Sequence, residues 1–143
     1  MSPTGSGLPT VDEKDIRLFN DSLERCFERP GFLTRFYTLF LASSDEVAKK
    51  FERTDLHQQV KTLKISLYIM AMAGIRPERA VHLEELARRH SRAALDIGPE
   101  LYDLWLEQLI RTVAEFDPQF DPKTGQVWRR VLQPGIDFMK SRY

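Results

Sequence analysis

The chain has 143 residues, a length typical of one domain around a single hydrophobic core. Its 21 basic residues balance 21 acidic residues, so no net field favours nucleic acid or an anionic membrane as a partner. The single cysteine, Cys26, excludes an internal disulfide, and the polar start MSPTGSGLPT lacks a secretory signal; together they predict a soluble cytoplasmic protein. The longest apolar stretch, from Ile65 to Ile75, is shorter than the roughly 20 residues that a membrane span requires.

Helical periodicity predicts an all-α chain, with proline and glycine placed where helices begin and end. We expect residues 1–10 to form a flexible tail and residues 11–143 to form the folded domain. A first helix is predicted over 11–28, where a Pro-Gly pair interrupts it. A second begins beside Gly31 and has a strongly aromatic inner face, and a short third ends at Phe51.

In the second half of the chain, capping residues, glycine and proline again indicate where helices begin and end. Asp55 is expected to cap a long fourth helix, which Gly74 should end. A fifth helix ends near His90, and Pro99 opens a sixth that is apolar around most of its circumference. Such a helix belongs in the centre of a fold. The last helix is predicted to begin near residue 123 and to continue to the end of the sequence.

One histidine lies where an apolar residue is expected. Leu83, Leu86 and Ala87 follow the i, i+3, i+4 pattern of a buried helix face, and His90 is the next residue on that face. One interpretation is a core histidine whose ring nitrogens bond to backbone carbonyls at the helix end. The other is a single axial ligand to a haem iron, because a neutral imidazole facing an apolar slot can bind that metal.

In the order and spacing of its motifs the chain resembles the globin family, in particular the single-domain and sensor globins of bacteria. The segments that carry the resemblance are FYTLF (36–40), Phe51, DLHQQVKTL (55–63), LARRH (86–90) and IGPELY (97–102). The resemblance implies an all-α globin fold, a three-over-three helical sandwich, over residues 11–143. It also implies b-type haem (iron protoporphyrin IX) held without a covalent bond, since the chain has no C-x-x-C-H motif.

The resemblance assigns His90 as the proximal iron ligand. Phe51 matches the corner phenylalanine that packs flat against the porphyrin in globins, although plain core packing would also place it there. Leu86, on the same helix face as His90, joins the predicted haem-binding residues.

The resemblance places Tyr37 and Gln59 on the distal side of the haem, where a phenol and an amide can both donate hydrogen bonds to a bound gas molecule. Leu63, one helical turn after Gln59, would form part of the pocket wall. The alternatives are a Tyr37 hydroxyl bonded to backbone and a solvent-facing Gln59.

Other polar residues are less distinctive. His57 should be exposed by helix geometry, although a shift of register would make it a second axial ligand. His82 is expected at the surface, and Tyr102 is either core or part of a network behind the proximal histidine. The residues that would pair with haem propionates, or form a solvated face, are Arg88, Arg89, Lys61 and Lys64.

The function implied by the resemblance is reversible binding of O2 or another diatomic gas such as CO or NO, for carriage, storage or sensing. One alternative is a nitric oxide dioxygenase or peroxidase-like enzyme, which would need an external reductase. Another is a gas-sensing or haemless interaction module that acts through a separate partner. The sequence predicts neither a nucleic acid nor a membrane partner, and it leaves a homodimer open.

Overall fold

The computed structural model describes residues 11–143, and its regular structure is helical, as the periodicity predicts. The tail predicted at 1–10 lies outside the described residues. In chain order the elements are α1 (Glu13–Glu28), α2 (Phe32–Ala42), α3 (Asp45–Lys50), α4 (Leu56–Ile75), a 3₁₀ helix (Pro77–Leu83), α5 (Glu84–His90), α6 (Pro99–Phe116) and α7 (Pro122–Ser141). No helix in this range combines the length and the apolar character needed to cross a membrane.

Side-chain caps and prolines begin these helices. The Asp12 carboxylate accepts a hydrogen bond from the Asp15 amide at 2.8 Å, and Ser44 and Asp55 cap α3 and α4 in the same way. Pro99 is the first residue of α6, where its missing N–H has no helical partner to lose. The predicted starts at Asp55 and Pro99 are therefore confirmed.

Two layers of three helices cross, with α1, α4 and α5 over α2, α6 and α7. Between the layers, α4 and α1 both pack on α7, while α6 lies within its layer between α2 and α7. Fully buried Trp128 of α7 packs against Phe19 of α1, with ring centroids 4.7 Å apart. The fold is the expected three-over-three helical sandwich.

Gly74 has a different role from the one predicted. The expectation that it ends the fourth helix is wrong, because α4 continues to Ile75 and Gly74 is buried within it. A Cβ atom built on Gly74 would lie 1.8 Å from the backbone oxygen of Val131 in α7. The missing side chain therefore lets α4 and α7 pack with their backbones close together.

A buried polar network joins α1 to the corner between α6 and α7. The Asp117 carboxylate accepts hydrogen bonds from Arg25 Nε and from the Ser22 hydroxyl, each at 2.6 Å. Trp128 Nε1 in turn donates to the Ser22 oxygen at 2.9 Å. Burial by itself would raise the pKa of Asp117, but the hydrogen bonds outweigh burial and hold that pKa below its ordinary value.

Candidate functional site

A cavity of about 250 Å³ lies between the helical layers, lined by side chains of α2, α4, α5 and α6. Most of its lining is apolar, as in sites that bind small organic molecules. It brings together every residue selected from the sequence, namely Tyr37, Phe51, Gln59, Leu63, Leu86 and His90. These residues come from four separate stretches of the chain, so only the tertiary fold unites them.

His90, the last residue of α5, lies half-buried in the cavity wall. Its Nδ1 lies 2.7 Å from the carbonyl oxygen of Leu86, one helical turn earlier. An Nδ1–H that donates to this carbonyl leaves the lone pair on Nε2, which makes no hydrogen bond within residues 11–143. Burial lowers the pKa of His90 although the hydrogen bond to Leu86 opposes the shift, so the ring is neutral at pH 7.

The segment that carries His90 is held by the end of α7. The backbone amide of Ile97 donates to the His90 carbonyl at 3.0 Å and closes the intervening loop. In that loop Asp96 has a φ of 53°, and its carboxylate accepts a hydrogen bond from the Tyr143 hydroxyl. Arg142 binds Glu84, the first residue of α5, at 2.8 Å. The two residues that follow α7 therefore restrain both the helix that carries His90 and the loop after it.

Tyr37 and Gln59 bring polar groups to the part of the wall formed by α2 and α4. Tyr37 is only 4% exposed, and no backbone carbonyl in the described part of the chain accepts a hydrogen bond from its hydroxyl. Burial raises its pKa to about 12, although interaction with the Gln59 side chain lowers it in part. The phenol is therefore protonated at neutral pH and can donate a hydrogen bond into the cavity.

Phe51 lies at the corner after α3 and completes an aromatic section of the wall. Its ring centroid is 5.7 Å from that of Tyr37 and 6.1 Å from that of Phe40. In both pairs the ring planes are steeply inclined to each other, so that the edge of one ring can attract the face of the other. Leu63 adds a buried aliphatic surface from α4, so apolar side chains adjoin the polar groups of Tyr37 and Gln59 in this part of the cavity.

No family model and no curated protein matches the chain. A solved structure from Pseudomonas aeruginosa PAO1, described as structurally highly homologous to a human hemoglobin, does match it. The two sequences are 40% identical, the alignment covers 90% of this chain and 98% of the other, and the TM-score is 0.80. The chain belongs to the globin family.

The cavity of this globin contains further polar residues that sequence reasoning missed. Thr62 and Ser66 line it from α4, three and seven positions after Gln59 on the same helix face. Their spacing from Gln59 is the sequence signal that could have identified both residues as part of the cavity wall. Tyr102, for which the sequence left open either a core position or a network behind the proximal histidine, lines the cavity from α6, and burial raises the pKa of its phenol to about 12.

The charged residues near the cavity differ in part from those expected. Lys50 and Arg89 lie in its lining, and both are exposed, so they mark its mouth. The sequence predicts Arg89 as a partner of the haem propionates but gives no signal for Lys50, because the short helix α3 has no clear periodicity. Lys61 and Lys64 are exposed on α4 outside the lining. His57 and His82 are exposed, as predicted.

Proposed function

We propose that this globin binds haem b in the cavity, that Nε2 of His90 would coordinate its iron, and that the protein reversibly binds O2 or another diatomic gas. The observation that carries the proposal is that one cavity brings together Tyr37, Phe51, Gln59, Leu63, Leu86 and His90, the residues that the sequence predicts to bind haem. The hydrogen bond from His90 to Leu86 supports it further, because it orients the ring and fixes which nitrogen keeps its lone pair.

The residues present fit such a group. Haem is flat and apolar with two carboxylates at one edge, and this cavity has an apolar interior with cationic side chains at its mouth. In this proposal Lys50 and Arg89 would pair with those carboxylates. Arg89 contacts Glu85 at 3.5 Å on the exposed side of α5, a weak pair that another carboxylate can replace.

Bound haem would supply an iron that can coordinate a diatomic gas. The protein supplies the rest. His90, neutral at pH 7, would offer its lone pair to the iron. The Tyr37 O–H and the Gln59 N–H would donate hydrogen bonds that slow the release of a polarised ligand such as O2. The apolar neighbours Phe51 and Leu63 keep water away, which strengthens each of these hydrogen bonds.

A haemless interaction module is disfavoured by the same cavity. Tyr37, Gln59 and His90 all present polar groups to an apolar interior, and leaving such groups without a ligand is energetically unfavourable. The bacterial relative of similar length supports assignment of this chain to the single-domain globins of bacteria. We assign O2, CO and NO as its small ligands on the same basis.

Titration of the purified protein with ferric haem tests the proposal directly. We expect a Soret band that saturates at one haem per chain, and His90→Ala should lose most of the affinity or shift the band. His57→Ala and His82→Ala are matched controls, because both remove an exposed histidine, and both should bind haem like the wild type. A wild type that never develops a Soret band, or an unchanged His90→Ala titration, would disprove the proposal.

A further inference from the structure

We infer that the loop of residues 91–97, beside the mouth of the cavity, is the lid through which haem enters and leaves, and that Lys50 holds this lid loop closed. The lid loop lies between α5 and α6, and its Leu95 and Ile97 line the cavity. The inference rests on the proposed function, because it concerns how the same cavity would admit and retain its cofactor.

The first observation is where the cavity opens. Four of its lining residues are exposed, namely Lys50 at the end of α3, Thr62 on α4, Arg89 on α5 and Leu95 in the lid loop. The other lining residues are buried or half-buried. Leu95 is 59% exposed although it lines an apolar cavity, so the lid loop borders the open side.

The walls formed by α2 and α6 are closed by packed aromatic rings instead. The centroid of the Phe36 ring lies 5.2 Å from that of Phe40 and 6.1 Å from that of Trp105. Phe36 is fully buried, so a passage through this wall would pull apart part of the core. Movement of an exposed loop costs less, which favours the lid loop as the route for a molecule as large as haem.

The second observation is that the lid loop can move as a unit. The Ser91 carbonyl accepts hydrogen bonds from the amides of Ala94 and Asp96, at 3.0 and 2.8 Å, so the loop is closed on itself. Its outer edge is held by Tyr143, whose hydroxyl donates to the Asp96 carboxylate. Residues 92–96 are all exposed. An outward movement would therefore break contacts with the rest of the fold and keep the bonds within the loop.

The third observation is that Lys50 bridges the mouth. Its Nζ donates to the Leu95 carbonyl oxygen at 3.5 Å and so joins α3 to the lid loop. A hydrogen bond of this length is weak, so it would let the lid loop open in the haem-free protein. Lys50 forms no ion pair within residues 11–143, whereas Arg89, the other cation of the lining, contacts Glu85.

The chemistry of the Lys50 ammonium group makes this contact sensitive to the cofactor. An ammonium has three N–H donors, so Lys50 could keep the Leu95 carbonyl while it also binds a carboxylate. A haem carboxylate at the mouth would therefore add a charged hydrogen bond to Lys50, which would hold the lid loop over the bound cofactor.

Transfer of haem to excess apomyoglobin measures the rate of haem loss from the full-length protein. We expect Lys50→Met to lose haem about threefold to tenfold faster than the wild type, because it removes one charged hydrogen bond. Lys49→Met is the matched control, because it removes the adjacent exposed lysine from the same last turn of α3. Lys49 lies outside the cavity lining, so its substitution should change the rate by less than about twofold.

The rate of haem entry separates a lid from a contact that only stabilises the bound state. Tyr143 lies outside the cavity lining, so Tyr143→Phe would act on haem through the lid loop. A looser lid speeds passage in both directions, so stopped-flow mixing with haem should show entry at least about twofold faster, together with faster loss. Tyr68→Phe, which changes an exposed tyrosine on α4, should alter neither rate.

Hydrogen exchange of the haem-free protein gives a readout that needs no cofactor. The amides at 91–97 should exchange faster in Lys50→Met than in Lys49→Met. Equal exchange in these two variants, equal rates of haem loss, or faster loss without faster entry in Tyr143→Phe would each overturn the inference and leave the proposed function intact. A wild type that binds no haem would overturn both.

Discussion

Substitution of Tyr37 by phenylalanine removes one oxygen atom and keeps the aromatic ring. The centroid of the Tyr37 ring lies 5.2 Å from that of Phe36 and 5.7 Å from that of Phe51, and both contacts should be retained in Tyr37→Phe. The hydroxyl is buried and protonated at neutral pH, since its pKa is raised to about 12. What the variant loses is therefore a single hydrogen-bond donor in the cavity.

The expected effect follows from the energy of one hydrogen bond. A donor to a partly charged ligand in a dry pocket contributes about 1.4 kcal/mol, so its loss should speed O2 dissociation roughly tenfold. Gln59 remains as a second donor in Tyr37→Phe, which keeps the effect from being larger. CO is less polarised, so its dissociation rate should change much less.

Stopped-flow displacement of O2 by CO measures this rate in the haem-loaded protein. Tyr102→Phe is the matched control, because it removes the hydroxyl of another buried tyrosine that lines the same cavity. That variant should change the O2 dissociation rate by less than about twofold. Because Tyr37 and Gln59 interact, the double variant Tyr37→Phe/Gln59→Leu should be non-additive. An unchanged rate in Tyr37→Phe, or an equal change in Tyr102→Phe, would refute the donor role.

Three further predictions concern the fold. Gly74→Ala should destabilise the protein by at least about 1–3 kcal/mol, because its Cβ would overlap the Val131 carbonyl oxygen, and its thermal midpoint should fall. Asp117→Asn should lower the free energy of unfolding by about 2–3 kcal/mol at pH 7, because it breaks the buried pair with Arg25. The lowered pKa of Asp117 means that this stability is complete above the unfolded-state pKa and disappears as pH falls through the folded-state pKa, so the two proteins should converge in acid. Tyr143→Phe should speed hydrogen exchange of the loop amides at 91–97 several-fold by releasing that loop.

Each of these three substitutions has a matched control within the chain. Gly98→Ala should be milder than the substitution in α4, because the atoms nearest its Cβ belong to the mobile Glu100 side chain. Glu115→Gln breaks an exposed pair with Arg35 and should change stability by less than about 1 kcal/mol. Tyr68→Phe, remote from the loop, should leave its exchange unchanged. Equal effects in variant and control would contradict the corresponding explanation.

Most of the fold could be predicted from the sequence because the signals that begin helices are local. Capping by Asp55 and the proline that opens α6 act within one helical turn, so they can be recognised without knowing the tertiary structure. Gly74 was misjudged for the opposite reason. In a sequence, a glycine that ends a helix cannot be distinguished from one that allows another helix to pack closely. The residue that packs against Gly74 is Val131, which lies 57 positions later in the chain.

For the candidate site, too, some residues could be predicted from the sequence and others could not. His90 and Gln59 could be selected because helix periodicity and resemblance to a family both pointed to them. Lys50 could not, because its position at the mouth depends on how the short α3 meets the loop after α5. The exposure of Ile65 and Tyr68 on α4 also had no signal in the sequence, because large apolar residues in a helix are more often buried.

Resonance Raman spectroscopy of the ferrous, gas-free protein tests the proposed bond between His90 and the haem iron directly. We predict an iron–histidine stretching band that shifts when the histidines carry ¹⁵N, disappears in His90→Gly, and returns when imidazole is added to that variant. A wild type without such a band, or a band that persists unchanged in His90→Gly, would contradict it.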